Sequence, residues 1–251
     1  MVATATAAAA GRTAAGTTRR RFRQAETMSH HARDERHRLA ELLAAAGPDA
    51  PTLCAGWTTT ELAAHLVLRE HRMDAAAGIR IPFLAGWTAK VQERYARRPY
   101  PWLLSTFRDG PPLLSPFALP GADEGANTVE YYVHAEDVRR AAPDWTTDPD
   151  DAAGAAEDVN PGLTEALWGK LSPLARLETG PKSPVGLVLR RPDGRTVQAR
   201  KGDPSVTVTG EPGELVLFAF GRGARARVGT EGDPEAVARL AEALPLPGQP
   251  S

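Results

Sequence analysis

A stripe of polar side chains along one predicted helix limits how this chain can fold. Asn127, Glu130, His134 and Asp137 follow one another at steps of three, four and three residues, which places them on one face of an α-helix. The residues that flank the stripe are apolar or aromatic: Val129, Tyr131, Tyr132, Val133 and Val138. No broad polar face is therefore left to carry the stripe in water. We expect the stripe to point inward, where its charge needs a partner.

A divalent metal is the partner that the residue types favour. Glu130 and His134 are separated by about one helical turn, so they can bind one ion from the same face. His65 lies in a separate helical pattern among apolar residues and could complete a set of three ligands. Two histidines and one carboxylate leave an open position, as in catalytic zinc sites. We expect Asp137 to hold the second ring nitrogen of a ligating histidine or a metal-bound water, and Asn127 to hydrogen-bond to Glu130.

The same residues allow plainer interpretations. Glu130 and His134 could form a surface ion pair worth about 0.2–0.5 kcal/mol. A lone buried histidine such as His65 is more often a hydrogen-bonded core residue than a ligand. Glu61 shares a face with His65 and competes as a ligand, but it also completes a capping box at the start of its helix. A fourth ligand from Glu61 or Asp123 would close the site and make the metal structural.

Composition and charge exclude two classes of partner. The chain has 251 residues, 42% hydrophobic and 24% charged, which is typical of a soluble protein with one large domain or two smaller ones. Thirty basic residues against thirty-one acidic residues give a formal net charge of −1, which favours neither nucleic acid nor an anionic membrane. No apolar run approaches the roughly 20 residues that a membrane-spanning helix needs. We therefore expect no nucleic-acid partner and no membrane insertion.

The single cysteine indicates the redox environment. Cys54 stands alone, which excludes an intrachain disulfide and any cysteine-rich metal site. A cytoplasmic location is consistent with this usage. We interpret Cys54 itself as a small packing residue.

The first 27 residues differ in composition from the rest. They are rich in Ala, Thr and Arg and contain no acidic residue before Glu26, which predicts a disordered leader. A transit peptide would share this composition. The simpler interpretation is that Met28 is the true start, because the organised pattern begins there.

The hydrophobic period changes near residue 180 and predicts two domains, 28–180 and 181–251, in an α+β protein. Helices are predicted first: Ser29–Ala46, Thr59–Ala77, Gly86–Asp109, Asp123–Pro143 and Asp150–Leu177. Pro99 and Pro101 interrupt the third helix, Asn160–Gly162 and Pro173 break the last, and a proline-rich linker precedes the helix that carries the stripe. The second domain begins with a hairpin around Asp193 and Gly194. It continues with two strands and two helices: Ser205–Thr209, Gly210–Phe220, Ala224–Val228 and Pro234–Leu244.

Three segments resemble a known family, the mycothiol-dependent maleylpyruvate isomerases of actinobacteria: Trp57–Val67, Glu130–Arg139 and Glu214–Arg222. The stretch from Met28 to about Leu244 more closely resembles an uncharacterised actinobacterial subfamily of metal-binding proteins related to that isomerase. The resemblance implies an N-terminal DinB-like four-helix bundle that binds a divalent metal, usually zinc. It also implies a smaller C-terminal α/β domain similar to sterol-carrier-like folds.

The resemblance also assigns residues. It places the metal ligands on His65, Glu130 and His134, the set that spacing suggests, and makes Arg222 the counterpart of a catalytic arginine in the C-terminal domain. The proline-rich third helix and linker depart from the family pattern, so maleylpyruvate itself is not carried over as the substrate.

Two functions of different classes follow as expectations. The first is a metal-dependent isomerase or transferase that uses mycothiol or another small thiol and acts on a small electrophile. The second is a non-catalytic binding protein, in which a structural metal holds the bundle and the C-terminal domain binds a small hydrophobic ligand. The sequence predicts small-molecule partners and does not determine an oligomeric state.

Overall fold

Helices precede a small mixed sheet in this α+β protein, for which a computed structural model describes residues 31–72, 74, 85–112, 115, 122–148 and 160–248. The helices are α1 (31–46), α2 (Thr59–His71), α3 (Ala85–Ala96), α4 (Tyr100–Asp109), α5 (Ala122–Arg139), α6 (Pro161–Glu178), α7 (Pro212–Ala219) and α8 (Pro234–Ala243). The strands are β1 (Gly186–Arg190), β2 (Thr196–Arg200), β3 (Ser205–Thr209) and β4 (Gly229–Glu231). The predicted leader 1–27, most of the proline-rich linker and residues 149–159 lie outside the described residues.

Local sequence signals set the start of α2. Thr58 is the N-cap, its side chain accepts a hydrogen bond from the backbone of Thr60, and Glu61 completes the predicted capping box. The helix ends at His71 rather than at Ala77, because Arg72 leaves the helical conformation (φ −130°, ψ 71°). The capping box thus fixes where the helix that carries His65 begins.

Prolines divide one predicted helix and leave another intact. The helix predicted over Gly86–Asp109 is interrupted at Pro99 and Pro101, as expected, and forms α3 and α4: Pro99 is the N-cap of α4, and Pro101 lies in its first turn, where no N–H is needed. Pro173, expected to break a helix, lies inside α6. Buried residues at steps of four continue on both sides of it, so packing sustains the helix: Leu163, Leu167, Leu171 and Ala175.

The C-terminal sheet is mixed and has the order β2-β1-β3-β4. The predicted hairpin joins β1 to β2, and Gly194 adopts a positive φ of 89° in its turn. β3 pairs parallel to β1, and β4 pairs antiparallel to β3.

The strand predicted over Ala224–Val228 was wrong. Gly223–Arg225 is a 3₁₀ turn, and the strand follows it as β4. In this segment Arg225 and Arg227 both pack over the ring of Trp145, at 5.8 and 5.6 Å.

Helix α5 lies between two apolar cores. One face enters the first core, with α1, α2 and α4: Tyr131, Ala135 and Val138. Another face enters the second core, with α6, α7, α8 and the sheet: Val129, Tyr132 and Val133. At about 100° per residue, the polar stripe lies between these faces. It points inward, as predicted, with Asn127 and Asp137 fully buried.

The second core includes a helix that precedes residue 180. Leu167 and Leu171 of α6 are buried with the residues of the sheet. The domain boundary near residue 180 stays a prediction. No helix among the described residues is both long enough and apolar enough to cross a membrane.

A buried ion pair ties α1 to α2 within the first core. Arg36 donates a 2.6 Å hydrogen bond to Glu70, a 3.1 Å bond to the carbonyl of Phe107 and a 2.8 Å bond to the hydroxyl of Tyr131. Tyr131 in turn donates to Glu70, whose side chain is 1% exposed. Each charge is therefore paired where water cannot reach it.

Replacing Glu70 with Ala leaves the Arg36 charge buried without its carboxylate partner. We expect the Glu70→Ala variant to lose about 3–5 kcal/mol of unfolding free energy, measured by urea denaturation. The matched control is Glu93→Ala, which removes a carboxylate from the exposed Glu93–Arg97 pair and should change stability little. Equal losses in the two variants would contradict the assignment of Glu70 to a buried pair.

Candidate metal centre

The three predicted ligands converge at the contact between α2 and α5. His65 Nε2 lies 3.5 Å from Glu130 Oε1, and His134 Nε2 lies 3.3 Å from the same oxygen. The two imidazole rings meet edge to face, with centroids 5.5 Å apart. One nitrogen from each histidine and one carboxylate oxygen lie within 4.8 Å of one another. The two candidate ligands on α5 and the separate histidine on α2 thus lie close together in space.

The donor set suits a divalent metal of the zinc type. Two imidazole nitrogens and one carboxylate oxygen are the ligands that catalytic zinc sites use. Burial lowers the pKa of His65 in spite of its contact with Glu130, which favours the neutral imidazole that a metal needs. Burial alone would raise the pKa of Glu130, but hydrogen bonds with His134 and His65 hold it well below its usual range. The carboxylate is therefore ionised and available.

The other ring nitrogen of His134 is held by two side chains. Nδ1 lies 3.0 Å from Asp137 Oδ2 and 3.8 Å from the thiol of Cys54. Burial would lower the pKa of His134, but the contacts with Asp137, Cys54 and Glu130 raise it well above its usual value, so a metal that binds Nε2 must displace a proton from this ring. The Asp137 contact fixes the ring so that Nε2 points toward Glu130 and His65, the arrangement expected for a ligand supported from behind.

Asp137 also joins the site to the C-terminal part of the chain. Arg222 donates to both of its oxygens, from Nε to Oδ1 and from Nη2 to Oδ2, each at 2.8 Å. Burial would raise the pKa of Asp137, but its bonds with His134 and Arg222 lower it to about 2. Arg222 thus reaches the metal ligands through a two-pronged ion pair, which also raises its own pKa against the effect of burial.

Asn127 reaches the site through an arginine that the sequence reasoning missed. Arg69 donates to the side-chain oxygen of Asn127, and its Nε lies 3.4 Å from Glu130 Oε1. Arg69 lies one turn after His65 on α2, so its position on that face was readable. The contact with Asn127 joins residues 58 positions apart and had no local signal.

Glu61 serves the capping role that the sequence suggested. Its carboxylate accepts from the backbone N–H of Thr58 at 2.9 Å and from the Thr58 hydroxyl. The hydroxyl bond is the main cause of a lowered pKa for Glu61. The side chain of Asp123, the other proposed fourth ligand, lies outside the described residues.

A second group of candidate donors shares His134. Cys54, His134 and Asp137 also lie within 4.8 Å of one another, and the Cys54 thiol donates to Asp137 Oδ2 at 3.2 Å. Both Asp137 oxygens already accept hydrogen bonds from Arg222, so a metal at this group would compete with that two-pronged ion pair. The set of His65, Glu130 and His134, on the Nε2 side of His134, is therefore the better metal site.

A cavity of about 350 Å³, the metal pocket, opens beside the ligands. It is lined by the three ligands together with Cys54, Trp57, Phe220 and Arg222. Cys54 packs against the first core, as expected, and its thiol also faces this pocket. Trp57 tilts over His65 with ring centroids 5.1 Å apart. A small molecule could therefore reach the open side of the ligands.

Removing a ligand should remove the metal. We expect the His134→Ala variant to retain much less than one equivalent of zinc after dialysis, because the two remaining donors, His65 and Glu130, hold zinc only weakly. The matched control is His37→Ala, which changes an exposed histidine on α1 and should leave one equivalent bound. Elemental analysis provides the measurement, and one equivalent of zinc in His134→Ala would disprove this ligand.

Weakening the support of His134 should weaken metal binding without abolishing it. We expect the Asp137→Asn variant to bind zinc about 10–100-fold more weakly, measured by competition with a chromophoric chelator. The same change at the exposed Asp109 of α4 should leave affinity unchanged. Unaltered affinity in Asp137→Asn would show that the contact with Nδ1 does not orient the ligand.

Comparison with known proteins agrees with the fold described above. No protein-family model matches the sequence, and no curated protein matches it. Among solved structures, a histidine-to-alanine mutant of the mycothiol-dependent maleylpyruvate isomerase aligns with a TM-score of 0.54 and 17% identity, over 82% of this chain and 92% of that one. A second structure of the mycothiol-dependent maleylpyruvate isomerase aligns with a TM-score of 0.50 and 18% identity, over the same shares. The resemblance predicted from the sequence is thus confirmed at the level of the fold.

Proposed function

We propose that this protein is a metal- and thiol-dependent enzyme, an isomerase or transferase that acts on a small electrophile. The observation that carries the proposal is the convergence of His65, Glu130 and His134 beside an open pocket. The shared fold with an isomerase named for its dependence on mycothiol supports a thiol as cosubstrate, with mycothiol as the first candidate. We infer a DinB-like helical bundle followed by a sterol-carrier-like domain, in a cytoplasmic protein.

The three candidate ligands indicate where the reaction would take place. A metal bound by them supplies Lewis acidity, which lowers the pKa of a thiol or water in its open position. His65, Glu130 and His134 would hold the metal between α2 and α5, and Asp137 holds the ring of His134 in place. Zinc is the metal that these three donors favour.

Arg222 supplies fixed positive charge to the same pocket. Its guanidinium is held by Asp137 and by the carbonyl of Phe220, to which Nη1 donates at 2.7 Å. A charge held in place at the wall of a partly enclosed pocket stabilises negative charge that develops on a substrate. We assign Arg222 the binding of a substrate carboxylate or the stabilisation of an enolate-like charge.

A structural metal in a non-catalytic binding protein is the second candidate. It is favoured by the position of the ligands, since His65 lies on α2 and the other two lie on α5, so the metal would link two helices. A closed site needs a fourth protein ligand, and the carboxylate of Glu61 is bound to Thr58 instead.

An added thiol separates the two candidates. In the cobalt-substituted protein we expect a small thiol to produce a new thiolate-to-metal absorption band, because the open position admits an exchangeable ligand. The Cys54→Ser variant should show the same change, which excludes the protein's own thiol as its source. A spectrum that ignores added thiol, together with a large loss of stability on chelation, would favour the structural metal.

Removing Arg222 should affect turnover more than metal content. With maleylpyruvate or another electrophile that the wild-type protein converts, we expect Arg222→Ala to lower kcat by about 10²–10³-fold. Arg222→Lys should recover part of the rate, and Arg239→Ala, an exposed arginine on α8, should behave as wild type. Unchanged thiol-dependent turnover in Arg222→Ala would show that Arg222 has no catalytic role.

A further inference from the structure

A second cavity adjoins the metal pocket on the side of the C-terminal residues. This C-terminal cavity has a volume of about 460 Å³, and it shares Ala55 and Arg222 with the metal pocket. Its other walls come from the loop before α2, from Ala141 just after α5 and from the 3₁₀ turn that carries Arg225. Arg222 therefore lies at the boundary between the two cavities.

The charge of the C-terminal cavity differs from that of its neighbours. Two arginines line it, Arg222 and Arg225, and none of its described lining residues is acidic. The metal pocket contains Glu130. A third cavity, of about 550 Å³ on the opposite side of His65, contains Glu61 and Glu93. Among these three cavities, only the C-terminal cavity has arginines and no acidic residue among its described lining residues.

Arg225 is the arginine of this pair that has no acidic partner among the described residues. Arg222 is paired with Asp137, whereas Arg225 forms no ion pair within the described part of the chain. Its guanidinium donates a long hydrogen bond of 3.5 Å to the carbonyl of Trp145 and lies 5.8 Å from the Trp145 ring. These contacts position Arg225 but do not balance its charge.

The neighbouring carboxylates are already bound to other groups. Glu214 is paired with Arg140 through both oxygens and also accepts from the backbone N–H of Arg227. Glu136 is bound by Arg38, Arg139 and Arg140. A half-buried arginine in a cavity wall, with the described acids near it paired to other groups, has the chemistry of an anion site.

We propose that the C-terminal cavity binds an anionic group, a carboxylate or a phosphate, of the molecule whose reacting end lies in the metal pocket, and that Arg225 determines this specificity. The inference rests on the proposed function, because it names the charge of the ligand on which the metal centre acts. Guanidinium groups bind carboxylates and phosphates alike through paired N–H donors, so the structure indicates the charge of the ligand, and the binding experiment below distinguishes the two anions.

Anion binding to the zinc-loaded full-length protein tests the proposal by calorimetry. The probes are succinate, inorganic phosphate and the neutral analogue succinamide. We expect one of the two anions to bind wild-type protein and to bind Arg225→Gln at least about tenfold more weakly, which is the cost of losing a charge-assisted hydrogen bond. Arg225→Lys should fall between them, and succinamide should not bind.

Arg227→Gln is the matched control. Arg227 also packs over Trp145 and carries the same charge two residues away, but it does not line the cavity. It should leave anion affinity unchanged. Equal weakening in Arg225→Gln and Arg227→Gln would overturn the proposal by showing general attraction, and full binding in Arg225→Gln would overturn it by placing the anion on the metal.

The outcomes separate this inference from the proposed function. Anion binding that depends on Arg225, in a protein whose cobalt spectrum ignores thiol, would support the cavity and reject the thiol-dependent enzyme. A thiol-sensitive spectrum without anion binding in wild-type protein would reject the cavity alone.

Discussion

The carboxylate of Asp137 joins the three parts of the chain that form the site. It accepts from His134 on its own helix, from Cys54 in the loop before α2 and from both prongs of Arg222 after α7. Because the side chain is fully buried, its charge is stable only while these donors surround it. The orientation of a metal ligand, the wall of the metal pocket and the position of the C-terminal residues therefore depend on one group.

The packing of α5 explains why such a group can exist. Apolar residues on two faces of the helix enter two different cores, and the polar stripe follows the seam between them. A second link reinforces the seam one turn later, where Arg140 forms a two-pronged pair with Glu214 at 2.8 and 2.7 Å. The Asp137–Arg222 and Arg140–Glu214 pairs both link the C-terminal end of α5 to residues after β3. The packing of α5 and the geometry of the site are therefore coupled.

The sequence predicted what local spacing encodes and missed what distant packing creates. Glu130 and His134 followed from one helical turn, and the hairpin at Gly194 followed from its turn residues. The pairing of Arg222 with Asp137 spans 85 positions, and without the family resemblance no local pattern marked Arg222. Pro173 was misinterpreted for the same reason, because burial of its helix against the sheet outweighs a local preference that the sequence does show.

X-ray absorption of the zinc-loaded protein, without added thiol, tests the central claim most directly. A metal held by His65, Glu130 and His134 predicts a first shell of nitrogen and oxygen alone, at about 2.0–2.2 Å, with the outer scattering of two imidazoles. A sulfur neighbour at about 2.3 Å would place the metal on Cys54, His134 and Asp137 instead. That result would contradict the proposed centre, because the metal would then have a different set of ligands and would compete with Arg222 for Asp137.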